Sequence, residues 1–140
     1  QPCSSAASDV YKRQGNDCTL VATGRMVSFC ENAAQALAED GITCDIIDPR
    51  TTSPLDEDAI LDSVEKTGRL VVVDETPPRC SFAADIAALA AGEVFSSLKA
   101  PVRQITGPHS PVPFAKELEG EFVPSPTKIR DAVAEVVNFK

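Results

Sequence analysis

The six residues Arg69-Leu-Val-Val-Val-Asp74 set four consecutive apolar side chains, three of them valine, between two charged ones. Successive side chains of a strand point to opposite faces, so such a run must be covered on both sides. Three other segments read as strands. Cys18-Thr-Leu-Val-Ala-Thr23 ends at Gly24, Ile42 to Asp48 carries Ile46 and Ile47 and stops at Pro49, and Pro101 to Thr106 carries Val102 and Ile105. Between them lie helical periods. Val27, Cys30, Ala33, Ala34, Leu37 and Ala38 recur with helical spacing up to Gly41. Ile60, Leu61 and Val64 form a stripe closed by Gly68, with Ser53-Pro54-Leu55-Asp56 expected to start that helix through a Ser cap. Phe82, Ala83, Ile86, Ala87 and Ala90 give a third helix, expected to run through Val94 and Phe95. Ser125-Pro126 opens the last, whose stripe is Ile129, Val133, Val136 and Val137. Strands alternating with helices predict βαβ units, right-handed crossovers and an α/β fold with a mostly parallel sheet of four to five strands, covered by helices on both faces.

At 140 residues the chain has room for one domain with a full core. Thirteen basic against twenty-one acidic residues leave a net charge of −8, which disfavours a nucleic-acid partner and suits a basic protein partner. No apolar run approaches the ~20 residues a membrane helix needs. The five cysteines, Cys3, Cys18, Cys30, Cys44 and Cys80, include no C-x-x-C pair and read as structural thiols of a reducing cytoplasm. Residues 1–15 have no helical or strand period, and SSAASDVYKRQ looks like the adapter read-through found in shotgun environmental sequences. They are read as a foreign or disordered extension, or else a natural flexible arm, preceding a domain over residues 16–140.

Ligands of such sheets bind beyond the carboxyl ends of the strands. Those ends carry Gly24-Arg25, Asp48-Pro49-Arg50, Asp74-Glu75 and Gly107-Pro108-His109. The arrangement suits an acid–base or anion site, or, more plainly, an interface of salt bridges and turns. The chain lacks a P-loop, a G-x-G-x-x-G turn and a G-x-S-x-G elbow, and a single His cannot supply a His-based metal set. No catalytic, cofactor-binding or metal-binding residue is assigned. Asp74 and Glu75 are expected to cap the following turn or pair with Arg79 or Arg50, and the acids Asp56-Glu57-Asp58 suit a helix first turn. His109 lies in Gly107-Pro108-His109-Ser110-Pro111-Val112-Pro113-Phe114, a proline-stiffened loop fit to present a fixed surface. His109, Pro111, Pro113 and Phe114, with Phe139 beyond the last helix, are therefore the candidate interface residues.

Several segments resemble one family in order and spacing. They are Gly24-Arg25-Met26-Val27, the stretch Ile47-Asp48-Pro49-Arg50-Thr51-Thr52-Ser53-Pro54-Leu55-Asp56, and Lys66-Thr67-Gly68-Arg69 leading into the valine strand. Phe82-Ala83-Ala84-Asp85-Ile86-Ala87, Ala100-Pro101-Val102 and Pro111-Val112-Pro113-Phe114 continue the pattern. Together they look like the C-terminal domain of the β subunit of thiamine-diphosphate-dependent 2-oxo acid dehydrogenases, in the transketolase C-terminal domain family. Arg79-Cys80-Ser81 and the His109 loop look most like acetoin dehydrogenase β chains, with pyruvate dehydrogenase β chains close behind.

The resemblance implies a three-layer α/β/α fold with a five-stranded mixed sheet, whose antiparallel edge strand would fall within residues 8–14. It implies an oxidoreductase fragment that is inactive alone. The thiamine diphosphate and Mg of the full enzyme would be held by an upstream domain and an α subunit, and this domain would bind no cofactor. Its partners would be the α subunit, a second β subunit and the acyltransferase component. The family docks that component through acids near Ala100-Pro101-Val102 and the end of the last helix. Here Lys99 and Lys140 add positive charge at those places. A stand-alone interaction module, or the equivalent domain of a transketolase or deoxyxylulose-phosphate synthase, are the alternatives. Which of pyruvate, branched 2-oxo acids or acetoin is used is not legible, because that pocket would lie mostly outside this domain.

Overall fold

The computed structural model describes residues 10–139. Its elements run β1 (Val10–Arg13), β2 (Cys18–Ala22), α1 (Met26–Glu39), β3 (Cys44–Asp48), α2 (Glu57–Thr67), β4 (Leu70–Val73), α3 (Phe82–Glu93), a 3₁₀ turn (Phe95–Ser97), β5 (Arg103–Ile105), α4 (Lys116–Phe122) and α5 (Pro126–Val137). The five strands form one sheet in the order β1-β3-β2-β4-β5. β1 is antiparallel to β3, and every other pairing is parallel, with Cys18 opposite Cys44, Thr19 opposite Leu70 and Val71 opposite Arg103.

The alternation of strand side chains divides the core in two. Cys18, Leu20 and Ala22 of β2, with Val71 and Val73 of β4, face the layer of α1 and α5, where Met26, Leu37, Ile129 and Val133 are buried. Val21, Leu70 and Val72 face the other layer, against Ile60 and Val64 of α2 and Ile86 of α3. The valine run is thus buried on both sides, and the mixed three-layer architecture is as expected.

The structure corrects the elements at four places. Residues 10–15 are not the unanchored extension read from composition; the antiparallel edge strand that the resemblance places within residues 8–14 is present as β1. Val10 and Tyr11 pair with Asp48 and Ile47, and Arg13 pairs with Ile46 across a bulge. Gly15 lies so close to β3 that a Cβ there would come within 2.4 Å of the Cys44 nitrogen. β1 covers the backbone edge that β3 would otherwise expose, which a four-residue strand can do without an apolar period of its own. The remainder of the expected extension, residues 1–9, lies outside the described residues.

Second, α2 is capped by Asp56, whose carboxylate accepts from the Ala59 nitrogen at 3.2 Å, rather than by Ser53. Ser53-Pro54 belongs to the preceding turn, across a cis peptide bond. Third, α3 stops at Glu93, and Phe95 is turned out to solvent in the 3₁₀ turn. Fourth, Ile42 is not part of β3. Its N–H donates to the Leu37 carbonyl while that of Gly41 donates to Ala38, a Schellman closure of α1 with Gly41 at φ +80°.

Candidate functional site

The chain from β2 turns back on one side of the sheet through α1 to β3, and that from β4 on the other side through α3 to β5. The carboxyl ends of β2 and β4 therefore flank the switch point of the sheet, where a crevice opens in such folds. Arg25 and Glu75 occupy it, joined by a bond of 2.7 Å from Nε to Oε2, both about half exposed. Beside them a cleft of about 440 Å³ is lined by Phe29, Val123, Pro124 and Ser125 as well as Arg25.

The other charges at this edge are also matched locally. The Asp74 carboxylate accepts from the Thr76 nitrogen at 3.0 Å and the Thr76 hydroxyl at 2.7 Å, which caps the turn as expected. Arg50 pairs with Asp48 at 3.3 Å, and Lys12 of β1 reaches the same oxygen at 3.7 Å. Glu75 thus finds Arg25 and not Arg79 or Arg50, because β2 and β4 are adjacent in space although 50 residues separate the pair. Among the described residues no group of three or more His, Cys, Asp or Glu side chains is placed to hold a metal ion. The thiols of Cys18, Cys30 and Cys44 are free and buried, and burial pushes those of Cys30 and Cys44 up to about 12.

The loop after β5 leaves apolar surface unburied. Val112, Phe114 and Leu118 are exposed, Phe114 fully so, at 107% of its reference area. The reason lies in α4, a helix not legible in the sequence because Gly120 interrupts it and only Leu118 and Phe122 mark a face. Phe122 is buried against Gly107, where a Cβ would meet its ring at 2.8 Å and the Glu75 carbonyl at 3.0 Å. The Gly107 N–H is tied to the Thr76 carbonyl at 3.1 Å. Both ends of the loop are therefore anchored, one by this glycine and the other by Phe122. The prolines between restrict its backbone.

The candidate residues separate into two patches. Pro111 and Pro113 line a hollow of about 250 Å³ that also includes Leu118 and Phe122, and Phe114 stands beside it in the chain. His109 is exposed and shares a shallow pocket with Pro77, Ser110 and Pro111. Phe139 lies at the far end of the strands, since Pro101 and Val102, which share its groove, precede β5 while His109 and Phe114 follow it. That groove, of about 450 Å³, is walled by Phe95, Leu98 and Phe139. Phe95 is a partner of Phe139 that the helical pattern of α3 concealed. Lys99 borders the same groove, and its alkyl chain lies over Gly68, where a Cβ would meet it at 2.7 Å.

The family described as transketolase, C-terminal domain, matches residues 9–129. The acetoin:2,6-dichlorophenolindophenol oxidoreductase subunit beta of Bacillus subtilis is 52% identical over 126 residues, covering 90% of this chain and 37% of the relative. The pyruvate dehydrogenase E1 component subunit beta of Rickettsia bellii is 40% identical, covering 91% of this chain and 39% of the relative. The chain thus spans well under half the length of these curated relatives. Among solved structures, a split gene transketolase described as an inactive beta4 tetramer superposes with a TM-score of 0.81 at 22% identity, over 94% of this chain and 42% of that one. The match over residues 9–129 and the two β-subunit relatives agree, and the chain belongs to the transketolase C-terminal domain family.

Proposed function

We propose that this chain is the C-terminal domain of a β subunit of a thiamine-diphosphate-dependent acetoin or 2-oxo acid dehydrogenase, and that it serves assembly rather than chemistry. The observation that carries the assembly role is the Val112–Leu118 surface: an aromatic and two aliphatic side chains held in solvent by a loop anchored at both ends. A rigid loop loses little entropy on binding, and a large exposed aromatic beside prolines is a natural anchor for an interface. The α subunit, a second β subunit and the acyltransferase component are the proposed partners. Four free cysteines among the described residues support a reducing, cytoplasmic setting.

The residues present do not fit the thiamine diphosphate and magnesium of the whole enzyme. Among the described residues no three or more His, Cys, Asp or Glu side chains are grouped to hold magnesium, and Arg25, the cation at the switch-point cleft, is engaged by Glu75. No chemical step is therefore assigned to this domain's side chains, and the cofactor is proposed to be held by the rest of the enzyme.

The test is Phe114→Ala, titrated against the cognate α subunit with thermal stability measured alongside. Truncating an interface anchor costs ~2 kcal/mol or more of binding, about thirtyfold in affinity. The isolated domain should lose no more than about 0.5 kcal/mol, as for other exposed sites. Unchanged association with a lowered melting temperature would overturn the proposal.

A further inference from the structure

Strand β3 reads Cys-Asp-Ile-Ile-Asp, and its second residue points a carboxylate into the face that carries Ile47, Ile60 and Val64. Asp45 is completely buried. A buried carboxylate is tolerated only when it is paired and its lone pairs are satisfied, and here three segments meet to do so. Oδ1 accepts the Gly15 N–H at 3.2 Å. Oδ2 accepts the Ser63 hydroxyl at 2.6 Å and the Lys66 ammonium at 2.5 Å, both from α2. Ser63 is itself held by Thr19 at 2.8 Å, and Thr19 lies equally close to Thr67, whose single hydroxyl proton has the Ser63 and Arg69 carbonyls, each at 3.1 Å, as alternative acceptors. Thr19 has one proton and can donate to only one of its two neighbours. Among the described residues the counter-charge in this network is Lys66, whose side chain is 43% exposed.

Gly15 sits at a particular place in the topology. β1 lies on one side of β3 and β2 on the other, so the chain must cross beneath β3 between residues 13 and 18. The crossing is pressed against the Thr43–Cys44 backbone, which leaves no room for a Cβ at Gly15. We infer that Asp45 and Lys66 form a charge-closed latch, in which the lysine keeps the buried carboxylate neutralised so that it can hold the crossing chain, and with it the edge strand β1, on the sheet. Without the ammonium, the carboxylate keeps its bonds from Gly15 and Ser63 but is a buried charge with no counter-charge, which favours opening to water. Helix α2 is fixed by Ile60 and Val64 in the core, whereas β1 is four residues long and pairs on one side only. The crossing and β1 are therefore what gives way. Their release bares the outer backbone groups of β3 at Ile46 to Asp48, an edge on which a strand of another chain can add.

The experiment is native-state hydrogen exchange on the whole chain, followed at Tyr11 to Arg13 and at Val71 to Val73. Lys66→Met keeps the alkyl stem and removes the charge. It should speed exchange in β1 by about tenfold or more while β4 changes far less, because the opening is local. Adding Asp45→Asn to Lys66→Met removes the orphan charge and should restore most of the β1 protection. Lys66→Arg should stay within about threefold of the parent, since the charge is kept. Unchanged β1 exchange in Lys66→Met, or equal acceleration of β1 and β4, would overturn the latch. Should Lys66→Met not fold, the double variant must fold for the inference to stand, and failure of both refutes it.

Discussion

Arg69 immediately precedes β4, and its guanidinium reaches across the sheet end to the last turn of α5. Nε donates to the Val136 carbonyl at 3.0 Å, Nη2 to Val137 at 3.4 Å and Nη1 to the Asp17 carbonyl at 3.3 Å. Val136 and Val137 are among the four terminal carbonyls that an α-helix cannot satisfy internally. Arg69→Met keeps most of the stem and removes the fork. One well-formed bond from a charged donor is worth ~1.5–3 kcal/mol, and the favourable placement of a cation at a helix C-terminus ~0.3–1 kcal/mol. The two longer bonds add little, and water recovers part of the loss because the side chain is only half buried. The expected net destabilisation is about 2 kcal/mol, a fall of about 4–8 °C in Tm at this chain length. Thermal and urea unfolding followed by circular dichroism would measure it, with the urea slope unchanged. Arg69→Lys should recover less than half, since one ammonium cannot reproduce a planar fork. A Met variant within about 0.5 kcal/mol of the parent, or full rescue by Lys, would show that the fork does not hold α5.

Three further expectations follow from the same geometry. The Thr43 hydroxyl, and then its backbone N–H, hold the Asp17 carboxyl below its ordinary 3.8, so this stabilisation is present above that pH and is lost as the pH falls through the depressed folded value. Asp17→Asn should therefore be destabilising at pH 7 and converge on the parent in acid unfolding; a gap that persists at low pH would contradict the linkage. Of the cysteines 18, 30, 44 and 80, only Cys80 is exposed, so site-mapped alkylation of the native protein should label Cys80 first. Labelling of Cys30 or Cys44 at a comparable rate would mean that the core opens. Deleting residues 1–14 removes β1 and uncovers β3, so Tm should drop by well over a few degrees and aggregation should rise with concentration. A melting temperature unchanged by the deletion would return these residues to the unanchored arm that their composition suggests.

The strand–helix alternation, the two-sided burial of Leu70 to Val73 and the capping turn at Asp74 are all legible in the residues alone. Each is a local matter: a period of two or 3.6, or a side chain meeting backbone two residues away. Local signals also misplaced what they could not resolve. Ser53-Pro54 resembles a helix start, and only the bond from Ala59 to Asp56 shows where α2 begins. α4 has too few turns for a period to emerge, and β1 earns its place from the open edge of β3 rather than from its own residues. The proline loop was legible as a presented surface, but not that Phe139 lies at the other end of the strands with Phe95. Tertiary structure alone decided that Glu75 would find Arg25, that Arg69 would close α5 and that Asp45 would be buried on Lys66. Those pairings satisfy charges and orphan backbone groups across 21 to 68 residues of chain, and which group is left to be satisfied is settled only when the elements have packed.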